Sequence, residues 1–236
     1  MTAQLLQARE LLRKSPRIAV LTGAGISAES GIPTFRGAGG LWKNFRPEEL
    51  ATPEAFNRDP ETVWEWYLWR RELIAQAQPN AAHRALVELQ ERTPEFTLIT
   101  QNVDGLHDRA GSRRILKVHG DIWINRCGTC GRETGELPSQ PLPHCTCGGL
   151  FRPGVVWFGE PLPKDVWREA EHAVSRADVF LVVGTSALVY PAAGLIPYAK
   201  QNGAAVIEVN LEQTTFSDTA DVCLRGPAGE ILPQII

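Results

Sequence analysis

Several kinds of chemistry are suggested by residue type and spacing in this chain. The apolar run Ile18-Ala-Val-Leu-Thr22 passes directly into Gly23-Ala24-Gly25-Ile26-Ser27-Ala28, a strand followed by a G-x-G-x-x-A turn. Glycines there let the backbone turn tightly and approach a pyrophosphate, while N–H groups around Ser27 open a helix toward its charge. The same glycines also serve an ordinary strand-to-helix turn. Polar residues follow three further strand-like runs, beginning at Gln101, Gly184 and Asn210. In an open parallel sheet such endings converge on one crevice at the carboxyl ends of the strands.

A second chemistry is metal binding. Cys127 and Cys130 form a C-x-x-C knuckle, and Cys145 with Cys147 supplies a second pair at a zinc-ribbon interval. Four thiolates fill a tetrahedral site and leave no position for water, so such a zinc is structural. The C-x-C spacing of the second pair leaves His144 as an alternative ligand to Cys147. Cys223 stands alone in an apolar context and is expected in the core.

Of the five histidines, His119 closes the short run Ile115-Leu-Lys-Val118. Histidine suits a general base near neutral pH, and equally a hydrogen-bonded structural imidazole. In Trp64-Glu-Trp66-Tyr67-Leu-Trp69-Arg70-Arg71, helical spacing puts Tyr67 and Arg70 on one face. A phenol and a guanidinium together can bind a carboxylate, with arginine offering two prongs. The alternative is a solvated charged face.

The elements that must position these groups follow from periodicity. Residues 1–15 read as an amphipathic helix carrying Leu5 and Leu12, closed by Ser15-Pro16. A stretch rich in glycine, proline and aromatic residues runs from Gly37 to Pro60, followed by helices over 61–77 and from His83. Strands are expected at 96–100, 115–118, 179–183 and 205–209, with helices between them. That alternation predicts a parallel sheet covered on both faces.

With 236 residues, 43% hydrophobic and 22% charged, the chain supports one substantial core with a small appendage. A net charge of −3 provides no global basic field, so neither nucleic acid nor an anionic membrane is an expected partner. No run approaches the roughly eighteen apolar residues of a membrane span, and the N-terminus lacks the apolar stretch of a secretion signal. The expected compartment is the cytoplasm, where clustered cysteines hold metal rather than form disulfides.

The run Gly23-Ala24-Gly25-Ile26-Ser27 followed by Gly31-Ile32-Pro33-Thr34-Phe35-Arg36 resembles the signature of the sirtuins, NAD-dependent protein deacylases. Later motifs extend the resemblance from about Ile18 to the C-terminus. It implies a Rossmann-like α/β fold with an inserted zinc-ribbon and helical domain. Residues 1–36, 83–120 and 158–236 would form the NAD-binding domain; 37–82 and 121–157 would form the small one.

By resemblance, NAD contacts fall to Gly23, Ala24, Gly25, Ser27, Ile32, Phe35, Arg36, Trp42, Gln101, Asn102, Val103 and Asp104. Gly184, Thr185, Ser186, Asn210, Leu211, Glu212 and Ala228 would hold the adenosine half. Asp104 suits a carboxamide N–H, and Asn102 a ribose hydroxyl or a water; an Asx turn is the plainer use of that motif. The resemblance makes His119 and Asn102 catalytic. Val156, Trp157 and Phe158, within Val155-Val156-Trp157-Phe158-Gly159-Glu160, would pair with substrate backbone as an added strand. Tyr67 and Arg70 resemble the subgroup that removes succinyl and malonyl groups.

The activity so implied is removal of acyl groups from protein lysines with consumption of NAD, giving nicotinamide and O-acyl-ADP-ribose. The acyl oxygen attacks the ribose as nicotinamide leaves, and His119 deprotonates the ribose hydroxyl that attacks next. Two other readings share these features: ADP-ribosyl transfer to protein, and a zinc-ribbon module sensing NAD or ADP-ribose.

Overall fold

A computed structural model describes residues 2–34, 47–136 and 142–236 of the chain. Helix α1 (Ala3–Lys14) leads into strand β1 (Arg17–Thr22) and a 3₁₀ turn (Ala24–Ser30). Helices α2 (Pro47–Leu50), α3 (Pro53–Arg58), α4 (Pro60–Gln76) and α5 (Ala81–Arg92) follow. Then come β2 (Glu95–Thr100), α6 (Leu106–Ala110), β3 (Ile115–Lys117), β4 (Gly120–Cys127), β5 (Glu133–Thr134) and β6 (Phe151–Val155). The chain closes with α7 (Lys164–Arg176), β7 (Val179–Val183), α8 (Leu195–Gln201), β8 (Ala205–Asn210), β9 (Val222–Arg225) and α9 (Ala228–Ile235).

The main sheet runs β3-β2-β1-β7-β8-β9, every pairing parallel. Its strands are buried on both faces, and β1 shows how. Ile18 and Val20 enter one core with Leu12, Leu86, Leu89 and Leu232, while Ala19 and Leu21 enter the other with Val174, Leu195 and Ala199. A period-2 strand can fill two cores only if both its faces are apolar, which is what the unbroken run expresses. The strand order reverses between β1 and β7, the point where an open sheet leaves a crevice above its carboxyl ends.

A second sheet, β5-β4-β6, is antiparallel and packs with α3 and α4 in a separate core built on Trp64, Trp66, Tyr67, Phe56 and Trp157. Helix α4 starts cleanly because Asp59 caps the Thr62 N–H and Pro60 occupies the first turn, where its missing N–H costs nothing. Arg71 is buried, not solvated: it donates to the carbonyls of Ile122 and Ile124 and to Asn125 Oδ1, tying α4 to β4.

The helix expected to open around Ser27 is 3₁₀ in form. Strand β6 ends at Val155, and N–H groups beyond it turn to partners outside any ladder: Val156 to His119 O at 2.8 Å and Phe158 to Ala51 O at 2.9 Å. One expectation is corrected. Cys223 is half-buried rather than in the core, its Sγ 3.1 Å from Ser217 O.

Candidate active site

Loops leaving β1, β2, β7 and β8 meet above the switch point and are stitched together by hydrogen bonds. Gly23 N donates to Val183 O at 3.0 Å and Gly25 N to Gly184 O at 2.7 Å. These two N–H groups therefore serve loop-to-loop contact instead of facing a phosphate. The glycines are required by the same contact: a Cβ on Gly25 would lie 2.7 Å from Gly184 O, and one on Gly184 2.4 Å from Ile26 N. Gly184 also holds φ +60°, the left-handed region that favours glycine.

The β2 loop is anchored from beneath. Thr22 and Thr100 stand opposite each other in register and share a 2.8 Å hydrogen bond between hydroxyls. His107 Nε2 lies 3.0 Å from Thr22 Oγ1, and Asn102 N donates to Thr100 Oγ1 at 3.1 Å. His83 and His107 are both buried, with ring centroids 4.8 Å apart. Burial pulls them down to about 4 and about 3 respectively, so both are neutral at pH 7. No sequence motif announces this buried chain; the only signal is a threonine closing each of two adjacent strands.

Above it, Asn102 Nδ2 donates to Gly23 O at 3.1 Å and to Ser27 Oγ at 3.2 Å. Asp104 accepts from the Ser27 hydroxyl at 2.8 Å and the Leu106 N–H at 2.8 Å. Burial raises the Asp104 pKa, and those two donors oppose the rise. Gln101 Nε2 reaches Thr185 Oγ1 at 2.9 Å, and Asn210 Nδ2 reaches Thr185 O at 3.3 Å.

His119 is half-buried beside this cluster, its Nδ1 3.1 Å from Gln101 O. With Nδ1–H donating to that carbonyl, Nε2 is the basic nitrogen. Burial lowers its pKa below the ordinary value and the Gln101 carbonyl partly restores it, leaving a neutral imidazole at pH 7. Gly120 follows in the left-handed region, where a Cβ would strike Gly154 O at 2.2 Å; that close β4–β6 approach starts β4 immediately after His119.

Tyr67 and Arg70 are buried on one face of α4. The Arg70 guanidinium stacks over the Trp66 ring at 4.8 Å and lies 6.0 Å from the Tyr67 ring centroid. Burial lowers its pKa, opposed by the charges of Tyr67 and Asp104, and burial raises the Tyr67 phenol. Trp157 Nε1 donates to Tyr67 OH at 2.9 Å, so the phenol proton points to another acceptor. Arg152 clamps this corner: it pairs with Glu160 at 2.5 and 2.9 Å, and its Cζ sits 3.3 Å from the Trp157 ring centroid.

Other expected residues divide clearly. Ala24, Val103, Val156, Ser186, Leu211 and Glu212 keep some exposure, with Leu211 61% exposed. Ile32 and Ala228 instead bury their side chains in apolar cores, leaving only backbone for a ligand. Phe35, Arg36 and Trp42 lie outside the described residues.

The four thiols of Cys127, Cys130, Cys145 and Cys147 lie within 4.8 Å of one another, with Cys127 to Cys147 at 3.5 Å and Cys130 to Cys145 at 3.7 Å. Zinc–sulfur bonds of about 2.3 Å in a tetrahedron require edges of about 3.8 Å, so the set fits one zinc ion. The short C-x-C spacing is accommodated, and His144 turns toward Gly148 O instead. The Cys130 N–H, aimed at Cys127 Sγ, helps hold that thiol down to about 6.

Residues 23–191 match the Sir2 family. An NAD-dependent protein deacylase of Aquifex aeolicus is 58% identical over 223 residues, 92% of this chain and 93% of that protein. The crystal structure of a Sir2 homolog–NAD complex superposes with a TM-score of 0.92 at 51% identity, over 98% of this chain and 91% of that one. A Sir2–p53 peptide–NAD⁺ structure superposes with a TM-score of 0.88 at 35% identity, over 100% and 97%.

Proposed function

The chain belongs to the Sir2 family, and from that premise we propose that it is an NAD-dependent protein deacylase whose crevice removes acyl groups from lysine side chains. The observation that carries the reading is the meeting of four strand-end loops at the switch point with His119 beside them. NAD, when bound, supplies a ribose carbon made electrophilic by a cationic nicotinamide leaving group. The protein's part is to position, to exclude water and to move one proton.

Within that reading, Ser27, Gln101, Asn102 and Asp104 surround the nicotinamide ribose, and Gly184 to Ser186 with Asn210 to Glu212 hold the adenosine half. His119 Nε2 takes the proton of a ribose hydroxyl, a task suited to an imidazole neutral at pH 7. The four cysteinates hold a structural zinc whose coordination they fill. Residues 37–82 and 121–157 act as the small domain, and Val156 to Phe158, at its junction with the NAD-binding domain, lie along the acyl-lysine peptide.

Acyl choice is assigned to Tyr67 and Arg70, which recognise an acyl chain ending in a carboxylate. Support comes from their burial together and from the Trp157 bond that frees the phenol proton for such an acceptor. Losing a buried charged partner costs about 3 kcal/mol, so Arg70→Met should reduce kcat/KM for succinyl-lysine about a hundredfold. The ratio of succinyl to acetyl turnover is the readout. Equal losses on both substrates would make Arg70 a structural counter-charge for Asp104 and remove the selectivity claim.

A further inference from the structure

One carboxylate beneath the crevice is buried and elaborately bonded, yet the reaction has no use for it. Glu208 lies in β8, is 3% exposed, and interrupts the apolar run Val206-Ile207-Glu208-Val209. It accepts from Thr214 Oγ1 at 2.8 Å and from Ser217 Oγ at 2.9 and 3.0 Å, and forms an ion pair with Arg225 of β9. Ser217 Oγ in turn accepts from the Thr214 N–H at 2.8 Å and from the Arg225 guanidinium at 2.7 Å.

The direction of these bonds is informative. Glu208 and Arg225 belong to paired strands, whereas Thr214 and Ser217 belong to the connection between β8 and β9. That connection begins with Asn210, Leu211 and Glu212, and Asn210 spans it by donating to Thr185 O at 3.3 Å and Glu212 O at 3.1 Å. Burying a carboxylate is costly, and an apolar residue of similar volume often stabilises a fold at least as well as a buried ion pair. Glu208 is flanked in β8 by the buried apolar residues Ile207 and Val209, a strand that is otherwise apolar there. What an apolar residue cannot do is hold Thr214 and Ser217 at fixed directions.

We propose that Glu208 is a positioning residue for the adenosine end of NAD. Through Thr214, Ser217 and Arg225 it pins the β8–β9 connection, so that Asn210 to Glu212 form a rim before the dinucleotide arrives. A rim ordered in advance spares the ligand the cost of ordering it, and the benefit appears as affinity. The inference rests on the assignment of Asn210 to Glu212 to the adenosine half.

Steady-state kinetics of Glu208→Gln test it. KM for NAD should rise about tenfold, with kcat and KM for an acetyl-lysine peptide within about twofold. Adding Arg225→Gln removes a second partner of Ser217 and should raise KM for NAD at least as far as Glu208→Gln alone; a return of KM to the parent value would trace the loss to an unpaired charge and overturn the positioning role. Arg17→Gln breaks an ion pair with Asp178 at the opposite ends of the strands, and should lower thermal stability without moving KM for NAD. Asn210→Ala reports on the rim itself. If Asn210→Ala raises KM for NAD and Glu208→Gln does not, the positioning role is wrong and the rim assignment stands. If neither moves it, the rim assignment falls and the proposal with it. Losses in kcat and in both KM values together would mark Glu208 as a fold residue and overturn the role. Should Glu208→Gln fail to fold, Thr214→Val removes the hydroxyl that donates to Glu208 and accepts from the Phe216 N–H while leaving the carboxylate in place, and an unchanged KM for NAD would then refute the proposal.

Discussion

Replacing Gly184 by alanine sets the crevice architecture against a single methyl group. The new Cβ would lie 2.4 Å from Ile26 N, 2.7 Å from Gly25 C and 2.9 Å from Gly25 Cα, all of them backbone. No side chain can rotate out of the way, so the β1 loop must retreat by roughly 1 Å to restore van der Waals contact. The φ of +60° adds strain of about 1 kcal/mol for a residue bearing Cβ, and crowding in a packed site about 2 kcal/mol more. A loss of about 3 kcal/mol lowers Tm by roughly 6–12 °C in a chain of this size.

Gly203→Ala separates strain from crowding, because Gly203 has φ +86° with nothing within 4 Å of its Cβ position. It should cost only about 1 kcal/mol. Both variants are measured by thermal unfolding and by KM for NAD. Gly184→Ala is expected to raise KM by at least tenfold, since a displacement of about 1 Å in a binding loop has effects of that order. Gly203→Ala should leave it unchanged. Equal KM values for the two variants would refute the claim that close backbone approach between the β1 and β7 loops shapes the NAD site.

Cys127→Ser should release zinc and lower the unfolding temperature, because metal binding is coupled to folding; elemental analysis finding no zinc in the pure parent protein would contradict this. The buried His83 and His107 bind their protons more weakly folded than unfolded, so acid favours the unfolded chain. Stability is full near pH 7, falls below the ordinary histidine pKa of about 6.5, and stops falling at about 4 and about 3. By pH 5 each histidine accounts for about 2 kcal/mol of loss, and His107→Gln should halve this contribution in denaturant titrations across that range. His119→Tyr should abolish deacylation while ADP-ribose still binds by calorimetry. In the parent, kcat/KM should drop on acidification with an inflection below about 6.5, because burial depresses the imidazole; an inflection above that value would exclude His119 as the base.

Features legible in the sequence were those that local chemistry dictates. Apolar strand runs ending at Thr22, Thr100, Val183 and Asn210 follow from period and length, and the cysteine knuckles from ligand spacing. The strand order was not legible, because β7 lies beside β1 only through a crossover of more than a hundred residues. The segment from Val156 to Phe158 stands out only by resemblance, as one that pairs with a substrate backbone. Its Val156 and Phe158 N–H groups bond to His119 O and Ala51 O, partners remote in sequence that no local pattern announces. Glycines 23 and 25 stand out in the sequence as a tight turn, but their closest backbone neighbour, Gly184, is identified only by the fold. Glu208 left a visible trace, a carboxylate inside a buried strand, whose partners only the folded chain identifies.

The most direct test of the account is mass spectrometry of one reaction containing the protein, NAD and an acetyl-lysine peptide. The account predicts free lysine peptide, nicotinamide and O-acetyl-ADP-ribose in equal amounts, with no nicotinamide formed beyond background when the peptide is unacylated. A peptide or protein gaining the mass of ADP-ribose while its acetyl group remains would contradict it.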